Sequence, residues 1–297
     1  MKLTVEVEDR VDKALAKFYP AAGRRVLAEL FEDGSVKVAG KRAKKGDRVV
    51  PGDEIEVSRE PVHGTALRPA PDPEVAAKLV VLLERSDLVV VSKPAGMPSQ
   101  PLKPGELGTV ANGIVSKYPE CVAIGDDPRD GGLVHRLDIG TSGVLVIART
   151  AEVHRALREA FGAGLVDKQY LAIVEGRPVS KECDAPLEQR GKRVIADHTD
   201  GLPAHTDFTV ERATETHALV RCEAKTGRMH QVRAHLAAVG SPIVGDELYG
   251  GAALPDHPGF FLHAARIELP IGEERLVIEA PLPSRFESAL ALLSLVV

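Results

Sequence analysis

One short stretch, Gly132–Gly143 (GLVHRLDIGTSG), constrains the fold of this chain more than any other part of its sequence. It leads into the apolar run Val144–Ala148, which has the composition of a fully buried strand. Gly140 and Gly143 allow a tight turn and a close approach of the backbone. We therefore predict that Asp138 is held rigidly at a strand end, although an aspartate in a glycine-rich loop is more often only a turn former.

Four short segments of the chain stand out: Lys93–Gly96 (KPAG), His135–Gly143 (HRLDIGTSG), Lys168–Ala172 (KQYLA) and Gly227–Leu236 (GRMHQVRAHL). In this order they resemble the motifs of the RluA-type pseudouridine synthases, which isomerise uridine in RNA. Lys-Pro-x-Gly alone is a weak signal, whereas four ordered motifs over about two thirds of the chain are specific. The pair Ile139-Gly140 departs from the pattern, because many relatives have charged or polar residues there.

The resemblance implies a role for each of four side chains. Asp138 is the expected nucleophile, Arg233 its ion-pair partner, Tyr170 the residue against the target base and Arg136 the side chain that enters the RNA. Burial disfavours the charged form of a carboxyl group, so a neighbouring guanidinium is an expected requirement for an ionised nucleophile. Since the isomerisation neither loses nor adds a group, we expect no cofactor and no metal.

Two arginines of the last motif compete for the place beside Asp138. Arg228 lies in the same segment as Arg233, and the family pattern favours Arg233. If residues 229–238 form a helix, Gln231 and Arg233 lie on different faces. The spacing does not decide which of these faces meets Asp138.

Further residues around the motifs are predicted to contact RNA. A stacked uridine must be extruded before it can react, and the planar guanidinium of Arg136 suits the gap that it leaves. His135 either contacts RNA or is a half-buried histidine that holds the loop. The other predicted RNA contacts near the site are Lys93, Arg228, His230 and Gln231.

The net charge of −5 argues against a general RNA binder, because affinity for phosphate rests on lysine and arginine. However, positive charge is clustered in a segment near the N-terminus, and such a local cluster can bind RNA on a chain that is acidic as a whole. Its pattern resembles an S4-like RNA-binding domain, although a run of charge is also typical of a solvated surface. The residues predicted to bind RNA there are Arg24, Arg25, Lys41, Arg42, Lys44 and Lys45.

The predicted fold class is α+β, with three parts along the chain. Residues 1–60 form the S4-like domain, the proline-rich residues 61–75 a linker, and residues 76–297 the catalytic domain. The resemblance implies that this last part has a mixed, mostly antiparallel sheet and a central RNA-binding cleft. Thr150 is the expected N-cap of a helix at 151–161, and the apolar residues 289–297 are expected to form a terminal helix.

The hydropathy pattern contains no run long enough to cross a membrane and no secretory signal, so we expect a cytoplasmic protein. Its partner is predicted to be RNA, and the chain is expected to act as a monomer. The S4-like segment favours large-subunit ribosomal RNA over transfer RNA as the substrate. The predicted function is therefore the isomerisation of specific uridines to pseudouridine, with an aspartate nucleophile and base flipping.

Two other functions make different demands on the sequence. A non-catalytic RNA-binding or ribosome-associated protein would not need Asp138, Tyr170 and Arg233 together. A metallohydrolase would need histidines at metal-ligand spacing, and His230 and His235 lack the His-Glu-x-x-His pattern. The other histidines considered for such a site are His198, His205 and His217.

Overall fold

The computed structural model describes residues 1–19, 22, 24–59, 67–196 and 201–295. The chain divides into two compact units. The first consists of Met1–Arg68, Leu102–Gly105 and Asp126–Arg129. The second consists of Pro69–Pro101, Glu106–Gly125 and Asp130–Val297.

The first unit combines two short helices with short strands. Its elements are β1 Lys2–Thr4, β2 Asp9–Arg10, α1 Val11–Phe18, α2 Arg24–Glu32, β3 Val36–Val38, β4 Lys41–Arg42, β5 Arg48–Val49 and β6 Glu54–Val57. The strands form an antiparallel sheet of order β1-β6-β3-β4 and a separate β2–β5 pair. Leu15, Leu30 and Ile55 are fully buried in its core. The apolar faces of both helices therefore pack into one small core.

The second unit is built on one large sheet. Its strands are β7 Val80–Glu84, β8 Leu88–Lys93, β9 Ser142–Ala148, β10 Asp167–Glu175, β11 Glu182–Cys183, β12 Leu187–Arg190, β13 Arg193–Ala196, β14 Thr206–Ala213, β15 His217–Ala224, β16 Leu262–Ile271 and β17 Glu274–Glu279. Its helices are α3 Pro73–Lys78, α4 Val110–Lys117, α5 Ala151–Gly162, α6 Gln231–Ala238 and α7 Ser284–Leu292, with short 3-10 helices at Pro119–Ala123 and Glu247–Tyr249.

The strand order of the large sheet is β11-β14-β15-β10-β16-β9-β8-β7, and β17 pairs with β16. Among the described strands, β9 and β16 run parallel to each other, and the other neighbours are antiparallel. The predicted α+β class with a mixed, mostly antiparallel sheet is confirmed. Strands β12 and β13 form a separate hairpin.

Strands β8 and β9 are covered on both faces, which explains their uninterrupted apolar sequences. Val144 and Val146 point into the cluster that includes Leu157 of α5. Leu145 and Ile147 point the other way, into the cluster that includes α4. This alternation follows from the two-residue repeat of a strand.

Helix ends are set by local chemistry. The Thr150 hydroxyl accepts a hydrogen bond from the Val153 N–H, and α5 begins at the next residue as predicted. The terminal helix differs from its predicted range, because α7 begins at Ser284 and ends at Leu292. Ser294 has a φ of 55°, a left-handed conformation that cannot continue the helix.

The proline-rich stretch predicted as a linker contains the start of a helix. Asp72 accepts hydrogen bonds from two N–H groups of the first turn of α3, and Pro73 occupies its first position. Residues 61–66 of the predicted linker lie outside the described residues. In the described part of the chain, no helix is long and apolar enough to cross a membrane.

Candidate active site

The loop that carries Asp138 is fastened on both sides. The Ser99 hydroxyl accepts a hydrogen bond from the Leu137 N–H (3.1 Å) and donates one to the Leu137 carbonyl (2.9 Å). The Asp138 carbonyl accepts one from the Thr141 N–H (3.0 Å). The Asp138 side chain is 25% exposed, so the carboxylate is held in place but open to a substrate.

Gly143 fixes the start of β9 next to this loop. Its φ is 114°, and a Cβ atom at this position would lie 2.1 Å from the carbonyl oxygen of Ala264 on β16. Only glycine allows the two parallel strands to approach this closely. Gly140 differs, because its φ is not in the left-handed region; a Cβ there would instead lie 2.6 Å from the Phe260 ring.

Lys93 holds the same loop through hydrogen bonds to backbone carbonyls. Its side chain is fully buried at the end of β8, and Nζ donates to the carbonyls of Pro94 (3.0 Å), Met97 (2.8 Å) and Ile139 (3.1 Å). Burial lowers the pKa of Lys93 to about 7, against the attraction of the Asp138 carboxylate. The prediction that Lys93 contacts RNA is therefore wrong, because the side chain is buried and its Nζ donates hydrogen bonds to three internal carbonyls.

Arg233 lies on the face of α6 that meets Asp138. Its Nη1 donates to Asp138 Oδ2 at 3.0 Å, and the side chain is only 7% exposed. Arg228 is exposed instead, and its Nε donates to the Pro203 carbonyl at 3.0 Å. The structure therefore places Arg233 rather than Arg228 beside the carboxylate.

A second carboxylate, Asp246, holds Arg233 from the other end. Nε and Nη2 of Arg233 donate to its two oxygens at 2.7 and 2.8 Å, and Asp246 is 1% exposed. Burial opposes the guanidinium charge, but the carboxylates outweigh it and raise the pKa of Arg233. Sequence reasoning missed Asp246, although its position between Gly245 and the Glu247–Tyr249 turn is a signal of a constrained loop.

His230 completes the polar surroundings of Asp138. It has a φ of 52° at the start of α6, and its Nε2 lies 3.9 Å from Asp138 Oδ2. The Tyr249 hydroxyl accepts from the Val194 N–H (2.9 Å) and lies within hydrogen-bond distance of His230 Nδ1 (3.0 Å). Burial lowers the pKa of His230, against the attraction of the Asp138 carboxylate.

Tyr170 lies on β10 at a bulge between Gln169 and Tyr170, where the register with β16 shifts. Its ring is half-buried, and no group in the described residues hydrogen-bonds to its hydroxyl. Burial raises its pKa, and the nearby Asp138 carboxylate raises it further. The phenol therefore stays neutral next to the carboxylate. Asp138, Arg233 and Tyr170 thus come together from a loop, a helix and a strand.

Comparison with known proteins identifies the family of this chain. The family model described as RNA pseudouridylate synthase matches residues 87–238. The chain belongs to the RNA pseudouridylate synthase family. It is 35% identical to "Ribosomal large subunit pseudouridine synthase D" of Xanthomonas campestris pv. campestris, over 96% of this chain and 88% of that protein. It is 32% identical to "Uncharacterized RNA pseudouridine synthase YlyB" of Bacillus subtilis, over 93% and 91% of the two chains.

A solved structure shows the same fold in this synthase family. "Human RNA Pseudouridylate Synthase Domain Containing 4" covers 74% of this chain and 96% of its own, with a TM-score of 0.62 and 24% identity. The predicted identity as an RNA pseudouridine synthase is therefore confirmed, as is the enzyme class. The non-catalytic and metallohydrolase alternatives are set aside.

The remaining predicted RNA contacts of the synthase domain divide into exposed and internal residues. Arg136 is exposed, and no described residue pairs with it. The His135 ring stacks on Phe161 at 4.8 Å, and its Nε2 accepts from the Val146 N–H at 3.0 Å. Burial, helped by nearby cations, lowers the pKa of His135 to about 3. His135 is therefore the neutral histidine that holds the loop, the second of the two predicted possibilities.

Gln231 is also internal. Its Nε2 donates to the His205 carbonyl (2.8 Å), and its Oε1 accepts from the Thr226 hydroxyl (2.7 Å) and the Arg228 N–H (3.1 Å). The side chain is 4% exposed. The prediction that Gln231 binds RNA is corrected, because its amide fastens the start of α6 to β14.

The basic residues of the first unit are described separately from the synthase site. Lys41, Lys44 and Lys45 are exposed, and no described residue forms an ion pair with them. Arg42 is exposed but donates to the Phe31 and Glu32 carbonyls at the end of α2. Arg24 and Arg25 begin α2, and their side chains lie outside the described part of the structure.

The histidines considered for a metal site are dispersed. His235 is buried between the Thr206 hydroxyl and the Ala185 carbonyl, whereas His230 lies beside Asp138. Within the described residues, one group could hold a metal ion, formed by Glu182, His205 and Asp207. In this group His205 Nε2 lies 3.0 Å from Asp207 Oδ1. His198 lies outside the described residues.

Proposed function

We propose that this enzyme converts specific uridines of large-subunit ribosomal RNA to pseudouridine, with Asp138 as the nucleophile. The observation that carries the proposal is the Arg233–Asp138 hydrogen bond of 3.0 Å, near the hydroxyl of Tyr170, to which no described residue hydrogen-bonds. The ribosomal substrate is supported by relatives such as the Xanthomonas protein, which matches 96% of this chain.

The proposed chemistry is an isomerisation, so the product has the same composition as the uridine. The Asp138 carboxylate attacks C1′ of the ribose while the N1–C1′ bond breaks, and the electron pair of that bond stays on the uracil. The uracil then turns, and C5 attacks C1′ while the aspartate leaves. Loss of the C5 proton and protonation of N1 complete the isomer. A route that starts with removal of a sugar proton by Asp138 uses the same carboxylate.

Tyr170 suits the turning base as a neutral ring. Its raised pKa disfavours the phenolate, so stacking and hydrogen bonding by the phenol are favoured over proton abstraction. The base has to leave its helix to reach this ring. The exposed guanidinium of Arg136, close in sequence to Asp138, is available to occupy the vacated stack.

The first unit is proposed to supply additional RNA affinity. Its exposed lysines form a local positive surface on a chain whose net charge is −5. In this proposal residues 1–60 form an S4-like RNA-binding domain and residues 76–297 form the catalytic domain.

The deciding experiment maps pseudouridine in total RNA from cells that lack the gene. Restoration with the wild type should return one or a few sites in large-subunit ribosomal RNA, whereas Asp138→Asn should restore none. Asp167→Asn, which changes an exposed aspartate paired with Arg275, is the matched control and should behave as wild type. If the lost sites lie in transfer RNA, then transfer RNA and not ribosomal RNA is the substrate. No lost site would refute the proposal.

Base flipping has its own test. A fluorescent base analogue next to the mapped uridine should brighten when the wild-type enzyme binds. Arg136→Ala should reduce this signal, whereas Arg155→Ala, which removes an exposed arginine of α5, should not. An equal signal from all three proteins would argue against insertion of Arg136.

A further inference from the structure

The guanidinium of Arg233 lies against two aromatic rings as well as two carboxylates. Its Cζ atom is 4.4 Å from the centre of the Phe260 ring and 5.0 Å from that of Tyr249. The Asp246 carboxylate takes Nε and Nη2, which leaves Nη1 for Asp138. The two rings lie over the plane of the guanidinium, whereas the carboxylates bind the N–H groups at its edge.

The position of Phe260 depends on Gly140. A Cβ atom at Gly140 would lie 2.6 Å from Cε1 and 2.8 Å from Cζ of this ring. Because the φ of Gly140 is not left-handed, backbone conformation does not require glycine here. The requirement comes from the ring, which fills the space that a side chain would occupy.

The backbone on both sides of Phe260 is also fixed. The Phe261 N–H donates to the Val244 carbonyl (3.2 Å), and Arg285 Nη2 donates to the Gly259 carbonyl (2.6 Å). A Cβ atom at Gly245 would lie 2.3 Å from the Gly259 oxygen, so this strand entry lies close against the segment that carries Asp246. The ring and the second carboxylate are therefore held by the same pair of packed segments.

We infer that Phe260 is a positioning residue of the reaction, and that residue 140 is glycine so that this ring can hold the Arg233 guanidinium against Asp138. This role rests on the proposed function of Asp138. Loss of the ring would uncover one face of the guanidinium, so that Nη1 could tilt away from Asp138 and water could reach the ion pair. Since misplacement of a catalytic group by about 1 Å can cost on the order of 100-fold in rate, we expect about a tenfold loss for a partial release.

The kinetic test is a double-mutant cycle measured in single turnover on the mapped RNA. Phe260→Leu and Gly140→Ala should each lower the rate about tenfold without changing the Kd for RNA. Gly140→Ala should cost less than twofold when Leu already replaces Phe260, because the clash is then absent. Phe286→Leu, which replaces a buried core ring that contacts Phe261 and His263, should lower Tm but leave the rate per folded enzyme unchanged.

A second measurement does not require activity. In protein labelled with ¹⁵N-arginine, the Arg233 Nε–H signal, assigned by its loss in Arg233→Lys, should exchange slowly with water. Exchange should accelerate at least tenfold in Phe260→Leu and remain unchanged in Phe286→Leu. A merely structural Phe260 would lower Tm without either the exchange effect or the split between rate and Kd.

The outcomes separate the two proposals. If the wild type modifies the RNA and Phe260→Leu stays within twofold of its rate, the positioning role is wrong. Additive effects in the cycle would also refute the link between Gly140 and Phe260. If the wild type modifies no RNA, the proposed function fails, and unchanged Nε–H exchange in Phe260→Leu would still overturn the positioning role.

Discussion

At the scale of single residues, the site depends on how one guanidinium is shared between two carboxylates. Asp246 is the more buried partner and holds Arg233 through two hydrogen bonds, whereas Asp138 has one and is open to substrate. A bidentate pair fixes the orientation of an arginine more strictly than a single bond does. Asp246 therefore determines the direction in which Nη1 points.

Replacement of this inner carboxylate should be costly. We expect Asp246→Asn to lower the free energy of unfolding of the second unit by about 3 kcal/mol, because it leaves part of a buried charge pair uncompensated. Single-turnover activity should fall as well. The control is Asp167→Asn, whose exposed pair with Arg275 should contribute little to stability. Urea unfolding of both variants at pH 7 measures the difference, and equal losses would contradict this account.

His135 should make stability depend on pH. Burial lowers its pKa from 6.5 to about 3. Between these values the unfolded chain binds a proton that the folded chain does not, so stability falls as the pH drops through this window. The contribution of this residue should be about 1 kcal/mol per pH unit. Below the lower value both states are protonated, and the contribution stops changing.

The matched variant is His135→Gln, which keeps an acceptor for the Val146 N–H. Urea titrations at pH 7, 6, 5 and 4 should show a shallower decline for this variant than for the wild type. The difference isolates His135 from the other buried histidines, which both proteins share. Parallel declines would mean that His135 is not buried in its neutral form.

At the scale of elements, the site is organised by the parallel pair β9 and β16. This pairing is short, with His263 opposite Ser142 and Ala264 opposite Gly143. It brings the start of β9, and thus the Asp138 loop, next to β16 and the Phe260 segment that precedes it. The Ser142 hydroxyl and His263 Nδ1 lie 2.9 Å apart and tie the two strands together at this point.

A side chain at Gly143 should break this contact. Gly143→Ala would place a methyl group 2.1 Å from the Ala264 oxygen at a φ of 114°, so we expect about 3 kcal/mol or more of destabilisation. Gly162→Ala is the control, because it lies in α5 with nothing within 4 Å of the added atom. That change should stabilise the protein by about 0.5 kcal/mol. Thermal unfolding of both variants tests the contrast, and similar Tm values would refute it.

At the scale of the whole molecule, an acidic chain is proposed to bind a polyanion. The net charge is −5, so attraction to RNA has to come from local groups such as Lys44 and Lys45. These side chains are exposed and have no ion-pair partner among the described residues. Lys2 is also exposed, but it pairs with Glu54 at 2.7 Å.

Removal of the unpaired charges should change the salt dependence of binding. The double variant Lys44→Gln and Lys45→Gln should lower the slope of log Kd against log salt by about 1 to 2, because each lost phosphate contact removes about one unit. Lys2→Gln should leave the slope unchanged. Filter binding to the mapped RNA at several salt concentrations measures this, and equal slopes would exclude these lysines from the RNA interface.

Local sequence was sufficient for the features that depend on near neighbours. The apolar run after Gly143 predicted a buried strand, and Thr150 predicted the start of α5, because both signals act within a few residues. The motifs were sufficient to predict the family. The apolar C-terminus predicted a helix at the wrong residues, because apolar content alone does not show that Ser294 takes a left-handed conformation.

The sequence by itself determined the chemical groups of this protein: one aspartate in a glycine-rich loop, two candidate arginines, a tyrosine, and a class of α+β fold. Only the tertiary structure decided how they are used. It placed Arg233, which the motif favours, in contact with Asp138, buried Lys93 and Gln231 as internal anchors, and brought Asp246 and Phe260 to the guanidinium. The physical reason is that ion pairs, ring contacts and burial depend on distances between residues far apart in the chain, which a local pattern does not contain.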